Sequence, residues 1–220
     1  MKNKEKPRKN PYMDARSKFI LTYGFDPDDL YFPELCLAEV EKNGKVLKYV
    51  PKAHKTLELC FAAVEQDGHA LEFVPEAHKT NGPKALDLCL AAVKQNCYAL
   101  QHVHETIMTE ELCLAAVQQD GSAIKYVPEA LKTAELCLIA VQQHGSALMY
   151  VPEAIKAPEL CLAAVKQNGE ALFYAPKEIK QIPELRQLYV EFCVKRALDM
   201  LDRDINEFIS SVFHNDIFGS

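Results

Sequence analysis

Apolar and polar positions recur along this chain in one fixed order, and the same 24-residue phrase is written six times. Its clearest copies are ELCLAAVQQDGSAIKYVPEALKT (Glu111 to Thr133), ELCLIAVQQHGSALMYVPEAIKA (Glu135 to Ala157) and ELCLAAVKQNGEALFYAPKEIKQ (Glu159 to Gln181). Cys36, Cys60, Cys89, Cys113, Cys137 and Cys161 mark the register, in steps of 24, 29, 24, 24 and 24 residues. A single five-residue insertion, 81–85, interrupts the period. Fixed periods of this size mean a solenoid, in which each unit buries its apolar face only against its neighbours.

With position 1 at Pro33 and Cys36 at position 4, each phrase predicts two helical segments. Threonine at position 24 (Thr56, Thr80, Thr109, Thr133) is a good N-cap for the helix of the next repeat. Position 1 is proline at Pro33 and Pro158, and position 2 is acidic in every copy, which suits a helix N-terminus. The apolar residues at positions 3, 4, 5, 6 and 8 then form one broad face at helical spacing. Glycine at position 12 (Gly44, Gly68, Gly121, Gly145, Gly169) is expected to end that helix in a left-handed conformation. The second half reads Ala-Leu-x-aromatic-Val-Pro. Proline at position 19 cannot sit in a helix interior, so a short helix over positions 13 to 18 and a fresh turn to about position 23 are expected. The aromatics Tyr49, Phe73, Tyr126, Tyr150 and Tyr174 are expected to stack as a core row.

The ends break the pattern. Residues 1–12 read as a disordered basic arm and 13–32 as an N-terminal cap containing a half-repeat. The six repeats fill 33–182, and 183–220 reads as a long C-terminal capping helix. In that last segment Leu185, Leu188, Phe192, Leu201, Ile205, Phe208 and Val212 are apolar, against Arg186, Glu191, Lys195, Asp199, Asp202 and Glu207. It predicts an amphipathic helix that caps the solenoid; the alternative is a self-assembly helix, with a homodimer through 184–213.

Charge narrows the partners. The first ten residues carry +4, and the whole chain carries −6. An acidic solenoid repels phosphate backbones, so nucleic acid is not expected as a ligand. No stretch approaches the ~20 apolar residues of a membrane span. The basic start lacks the apolar run of a signal peptide, so the chain reads as cytoplasmic, or exported without a cleaved signal. The register cysteines lie in different layers roughly 8–10 Å apart, too far for disulfides, and read as a reduced, buried ladder.

Candidate chemistry is sparse. No phosphate loop, metal triad or nucleophile elbow is present, and no cofactor is expected. The third repeat departs from the pattern, with Cys97 for glycine, His102 for the aromatic and His104 for proline. These three residues form the one candidate metal or hydrolytic cluster; the alternative is drift at a bend. Position 10 is Gln66, Gln95, Gln119, Gln143 and Gln167, an amide row that either ties layers together or lines a groove for an extended peptide. Position 16 changes from Lys48, Glu72, Gln101 and Lys125 to Met149 and Phe173. This apolar pair is a candidate hot spot unless the C-terminal helix covers it.

The motif E-L-C-L-A-A-V-x-Q-[ND]-G-x-A-L-x-[YF]-V-P-E resembles that of an uncharacterised bacterial repeat family, the domain of unknown function numbered 4116, from Pro33 to Gln181. That family is common in bacteria that live with or inside eukaryotic cells, so the resemblance adds a host-directed effector to the expected roles. It brings no established reaction or catalytic residue. The repeat length is also similar to that of the leucine-rich variant repeat, whose layout implies a right-handed superhelix of alternating α and 3₁₀ helices. The expected molecule is an all-α, right-handed solenoid that binds a protein or extended peptide without catalysis.

Overall fold

The structure, a computed structural model, describes Gly24, residues 32–80 and residues 82–218, with the backbone alone at 32 and 206–218. The expected basic arm (1–12) and nearly all of the N-terminal cap (13–32) lie outside the described residues, as does Asn81 of the insertion. Among the described residues there are helices and no strand, and the architecture is an all-α repeat solenoid. No helix among them is long and apolar enough to cross a membrane.

The α-helices are α1 (Phe32–Lys42), α2 (Leu57–Gln66), α3 (Glu76–Thr80), α4 (Ala85–Gln95), α5 (Glu110–Gln119), α6 (Ala134–Gln143), α7 (Pro158–Gln167) and α8 (Pro183–Phe218). Each repeat helix is followed by a six-residue 3₁₀ helix: Gly44–Tyr49, Gly68–Phe73, Cys97–His102, Gly121–Tyr126, Gly145–Tyr150 and Gly169–Tyr174. A shorter turn follows the position-19 residue, for example Glu129–Leu131 and Glu153–Ile155.

The expected punctuation is present. Oγ1 of Thr56, Thr109 and Thr133 accepts from the N–H of Leu59, Leu112 and Leu136 at 3.2–3.3 Å, satisfying one orphan donor at each helix start. Position 11 is extended, and where it is Asn or Asp its side chain accepts from the N–H two residues on, as in Asn43 to Lys45, Asp67 to His69 and Asn168 to Glu170; His144 makes no such bond. That cap starts the 3₁₀ helix. Valine before the proline is again extended, because the proline ring crowds the α region of its predecessor. Six residues held between two extended ones close with i→i+3 bonds, such as Val50 N–H to the Leu47 carbonyl at 3.2 Å.

The 3₁₀ pitch corrects the expected aromatic core row. With three residues per turn, positions 12, 15 and 18 share the inner side, 13 and 16 the outside, and 17 the edge; the small residue at 14 is buried as well. Leu47, Leu71, Leu100, Ile124 and Leu148 are accordingly buried. Tyr49, Phe73, Tyr126 and Tyr150 are half-buried at the edge, and Tyr174 is exposed.

The glycine expectation is also corrected. Gly24 is the one glycine with positive φ among the described residues, so position 12 has no left-handed residue. The glycines are needed for approach instead. A Cβ at Gly44, Gly68, Gly121 or Gly145 would lie 2.3–2.4 Å from the carbonyl oxygen of Ala63, Ala92, Ala140 or Ala164 in the next repeat's helix. Cys97 takes this place in the third repeat and is buried.

The chain divides into two compact units, one ending at Ala116 and one beginning at Val117. In the first, α1 packs on α2 and α2 on α4, while the 3₁₀ helices 44–49, 68–73 and 97–102 pack in order. In the second, α6 packs on α7, and 121–126, 145–150 and 169–174 pack in order. α8 then packs on α7 and on the 3₁₀ helix 169–174. The core of each unit is the register cysteine with its neighbouring Leu, Ala and Val. Cys36, Cys60, Cys89, Cys113, Cys137 and Cys161 are fully buried free thiols, Cys97 is buried, and Cys193 on α8 is exposed.

Candidate functional site

The position-10 glutamines are joined to the preceding repeat. Oε1 of Gln66, Gln95, Gln143 and Gln167 accepts from the N–H of Gly44, Gly68, Gly121 and Gly145 at 2.5–2.7 Å. Their Nε2 groups donate to carbonyls at the end of the preceding helix: Lys42, Gln66, Gln118 and Gln143. Each side chain thus bridges the break between an α-helix and the 3₁₀ helix after it, where both backbone groups would lack a partner. Gln119 stands at the same register position. The amide row is a tie between layers, and in these four glutamines both ends of the amide are engaged by the fold.

A second ladder escaped the sequence reading. Lysine at position 23 reaches across to the carbonyl of residue 17 in the next repeat. Lys55 donates to Phe73 at 2.8 Å, Lys132 to Tyr150 at 2.7 Å and Lys156 to Tyr174 at 2.8 Å. A cation there satisfies the open end of the 3₁₀ helix and meets the negative end of its dipole. Lys79 and Lys156 are buried, and each pairs with the carboxylate three residues earlier, Glu76 at 2.6 Å and Glu153 at 2.7 Å. Burial depresses the Lys55 ammonium below the ordinary lysine value. His78, at position 22, joins the same end of the repeat through Nε2 and the Lys55 carbonyl, 2.9 Å apart.

The third-repeat cluster is not assembled. Cys97 is buried at the start of its 3₁₀ helix, His102 is half-buried at the other end, and His104 is exposed. The Nδ1 of His104 lies 2.9 Å from Thr106 Oγ1 and accepts from the Thr106 N–H at 3.2 Å, so this residue caps the short turn where other repeats have proline. Burial depresses the His102 imidazole below its ordinary value, with Glu72 opposing. Among the described residues, no three His, Cys, Asp or Glu come together in a way that could hold a metal ion. The register thiols are also poor nucleophiles: burial pushes Cys36 up to about 12 and Cys60, Cys89 and Cys113 up to about 11.

Met149 and Phe173 differ from these groups, because they face outward. Met149 is 47% and Phe173 62% exposed, in the same register of two 3₁₀ helices that pack on each other. Lysine at this position in other repeats lies over the adjacent ring, Lys48 over Tyr49 at 4.5 Å and Lys125 over Tyr126 at 4.6 Å. Repeats five and six replace that charge with apolar surface, next to the exposed Tyr174. The C-terminal helix touches this surface without covering it. The Tyr189 ring of α8 meets Phe173 edge-on, 5.6 Å between centroids and 79° between planes. A polar groove of about 480 Å³ lies elsewhere in the same unit, lined by His144, Ser146, Gln167, Asn168, Glu170, Phe192 and Arg196. Arg196 is ion-paired to Glu170 there, and His144 Nδ1 lies 3.1 Å from Asp120.

The family model of a domain of unknown function, DUF4116, matches the chain in three overlapping stretches, residues 86–132, 109–156 and 134–180. That part of the chain is similar to DUF4116 repeats. The first two repeats, 33–80, carry the same motif outside the matched stretches. No curated protein and no solved structure matches the chain.

Proposed function

From repeats whose family has no assigned activity, we propose a non-enzymatic scaffold that binds a protein or an extended peptide at the C-terminal repeats. The carrying observation is the exposure of Met149 and Phe173, 47% and 62%, in one register of packed neighbouring repeats. Single exposed apolar side chains are ordinary on any surface. An adjacent pair at positions that elsewhere carry charge or amide has the character of a hot spot, where binding energy concentrates on a few large anchors. The glutamine amides contribute by holding the repeats in register. The buried free thiols support residence in a reducing compartment such as the cytoplasm.

The test uses the full chain as bait, with Met149→Lys/Phe173→Lys beside it. Hot-spot losses of ~2 kcal/mol or more per residue correspond to roughly 30-fold weaker binding for each. The expected result is a retained protein that the double variant releases at an unchanged melting temperature. A collapse in stability would instead assign both residues to the cap, and undiminished capture would move the contact elsewhere.

A further inference from the structure

α8 carries two apolar faces, and the repeats use one. At 100° per residue, Leu185, Leu188, Tyr189 and Phe192 share a side of the helix. Leu185 is buried, the other three are half-buried, and Phe192 sits against Gly169. Arg196 continues that side through its ion pair with Glu170. Val190, Val194, Leu198, Leu201 and Ile205 lie on the opposite side and are 53%, 54%, 56%, 55% and 47% exposed. A cap needs one apolar face. The second calls for another occupant.

We infer that this occupant is α8 of a second copy of the chain, lying antiparallel in a two-helix coiled coil. From Val194 the apolar residues are spaced by four, three and four, which is the seam spacing of a coiled coil. In the sequence the spacing runs on at Phe208 and Val212. The stripe is self-complementary. With the helices antiparallel, Val194 faces the second copy's Ile205 and Leu198 faces its Leu201, in four layers related by a two-fold axis. The flanking charges favour this direction. Lys195 of each helix lies beside Asp202 of the other, twice by symmetry. A parallel pairing sets Val190 against Lys195 and Ala197 against Asp202, with no opposite charges matched. The repeats lie on the far side of each helix and do not obstruct the seam.

Sedimentation equilibrium of the full chain over the micromolar range tests this. The expected species has twice the mass of one chain and dissociates on dilution. Leu198→Asp/Leu201→Asp should be monomeric throughout, with the repeats melting as in the wild type because both side chains are more than half exposed. Lys195→Asp should raise the dissociation constant by about tenfold, and Asp202→Lys in the same chain should return it to within about threefold of wild type. A wild-type chain that stays monomeric overturns the inference, as does a dimer that survives Leu198→Asp/Leu201→Asp. A dimer that Lys195→Asp weakens and Asp202→Lys does not restore overturns the antiparallel direction.

Discussion

The junction between the fifth and sixth repeats and the junction between the sixth repeat and α8 use the same glycine register in opposite ways. At the inner junction Gly145 meets backbone: a Cβ there would lie 2.3 Å from the Ala164 carbonyl and 3.0 Å from the Asn168 amide nitrogen. Gln167 locks the contact from both ends of its amide. At the terminal junction Gly169 meets a side chain, with Phe192 atoms 2.3–2.6 Å from the same Cβ. The polar ties there lie at the rim: Arg186 donates to the Lys180 carbonyl and Gln181, and Arg196 pairs with Glu170. The inner junctions at Gly44, Gly68, Gly121 and Gly145 are therefore fixed by close approach to the next repeat's backbone and bury their register groups. The terminal junction is a side-chain contact that leaves Phe173 and the far side of α8 open. Exposed apolar surface collects where the repeat's own satisfaction ends.

This contrast can be broken at its polar ties. Gln167→Leu leaves the Gly145 N–H and the Gln143 carbonyl without their partner at the inner junction, and should cost about 1–3 kcal/mol. Gln187→Leu removes a bond of similar length, 2.9 Å to Glu191, from the exposed surface of the cap. It should stay within about ±0.5 kcal/mol. Chemical denaturation of the two variants checks the pair, and equal losses would mean that the glutamine ladder ties nothing.

The thiols sharpen the same contrast more gently. At neutral pH one thiol per chain, Cys193, should label quickly, and the seven buried ones should label only on unfolding. The buried thiols also set a pH dependence. Burial raises the register thiols above the ordinary 9.0, to about 12 at Cys36 and about 11 at Cys60. The unfolded chain gives up these protons first, so their contribution is fully present below pH 9 and lost as pH rises toward 11–12. Melting curves across that window should show stability falling, and a rise would contradict the burial.

Much of this was legible in the amino-acid sequence, because a repeated phrase reports its core six times over. The period, the threonine caps, the proline-broken second half and the buried cysteines all follow from residue type and spacing. What was hidden depended on pitch and reach. A fixed register of aromatics beside valine and proline does not say which side of a six-residue 3₁₀ helix they occupy, and three residues per turn place them at its edge. The roles of Lys55, Lys132 and Lys156 were not legible, because their partner carbonyls lie 18 residues on, beyond any local window. Glycine at position 12 invites a left-handed reading, and only the neighbouring helix shows that the missing Cβ is the point. On α8 the apolar residues read as one face, whereas Leu185 and Leu201 lie on opposite sides of the helix. The exposed pair Met149 and Phe173 stood out because the repeat supplies its own comparison at every position.

The most direct measurement is the melting temperature of Gly145→Ala beside Gly169→Ala. At Gly145 the added methyl meets backbone that cannot move without parting two repeats, and a loss of ~2–3 kcal/mol should lower the main transition by roughly 4–12 °C. At Gly169 the methyl meets Phe192, which can move with α8, so the repeats should lose less than half as much. Equal losses, or a larger one at Gly169, would contradict the claim that inner junctions are locked through the backbone while the C-terminal end is held by a movable side-chain contact.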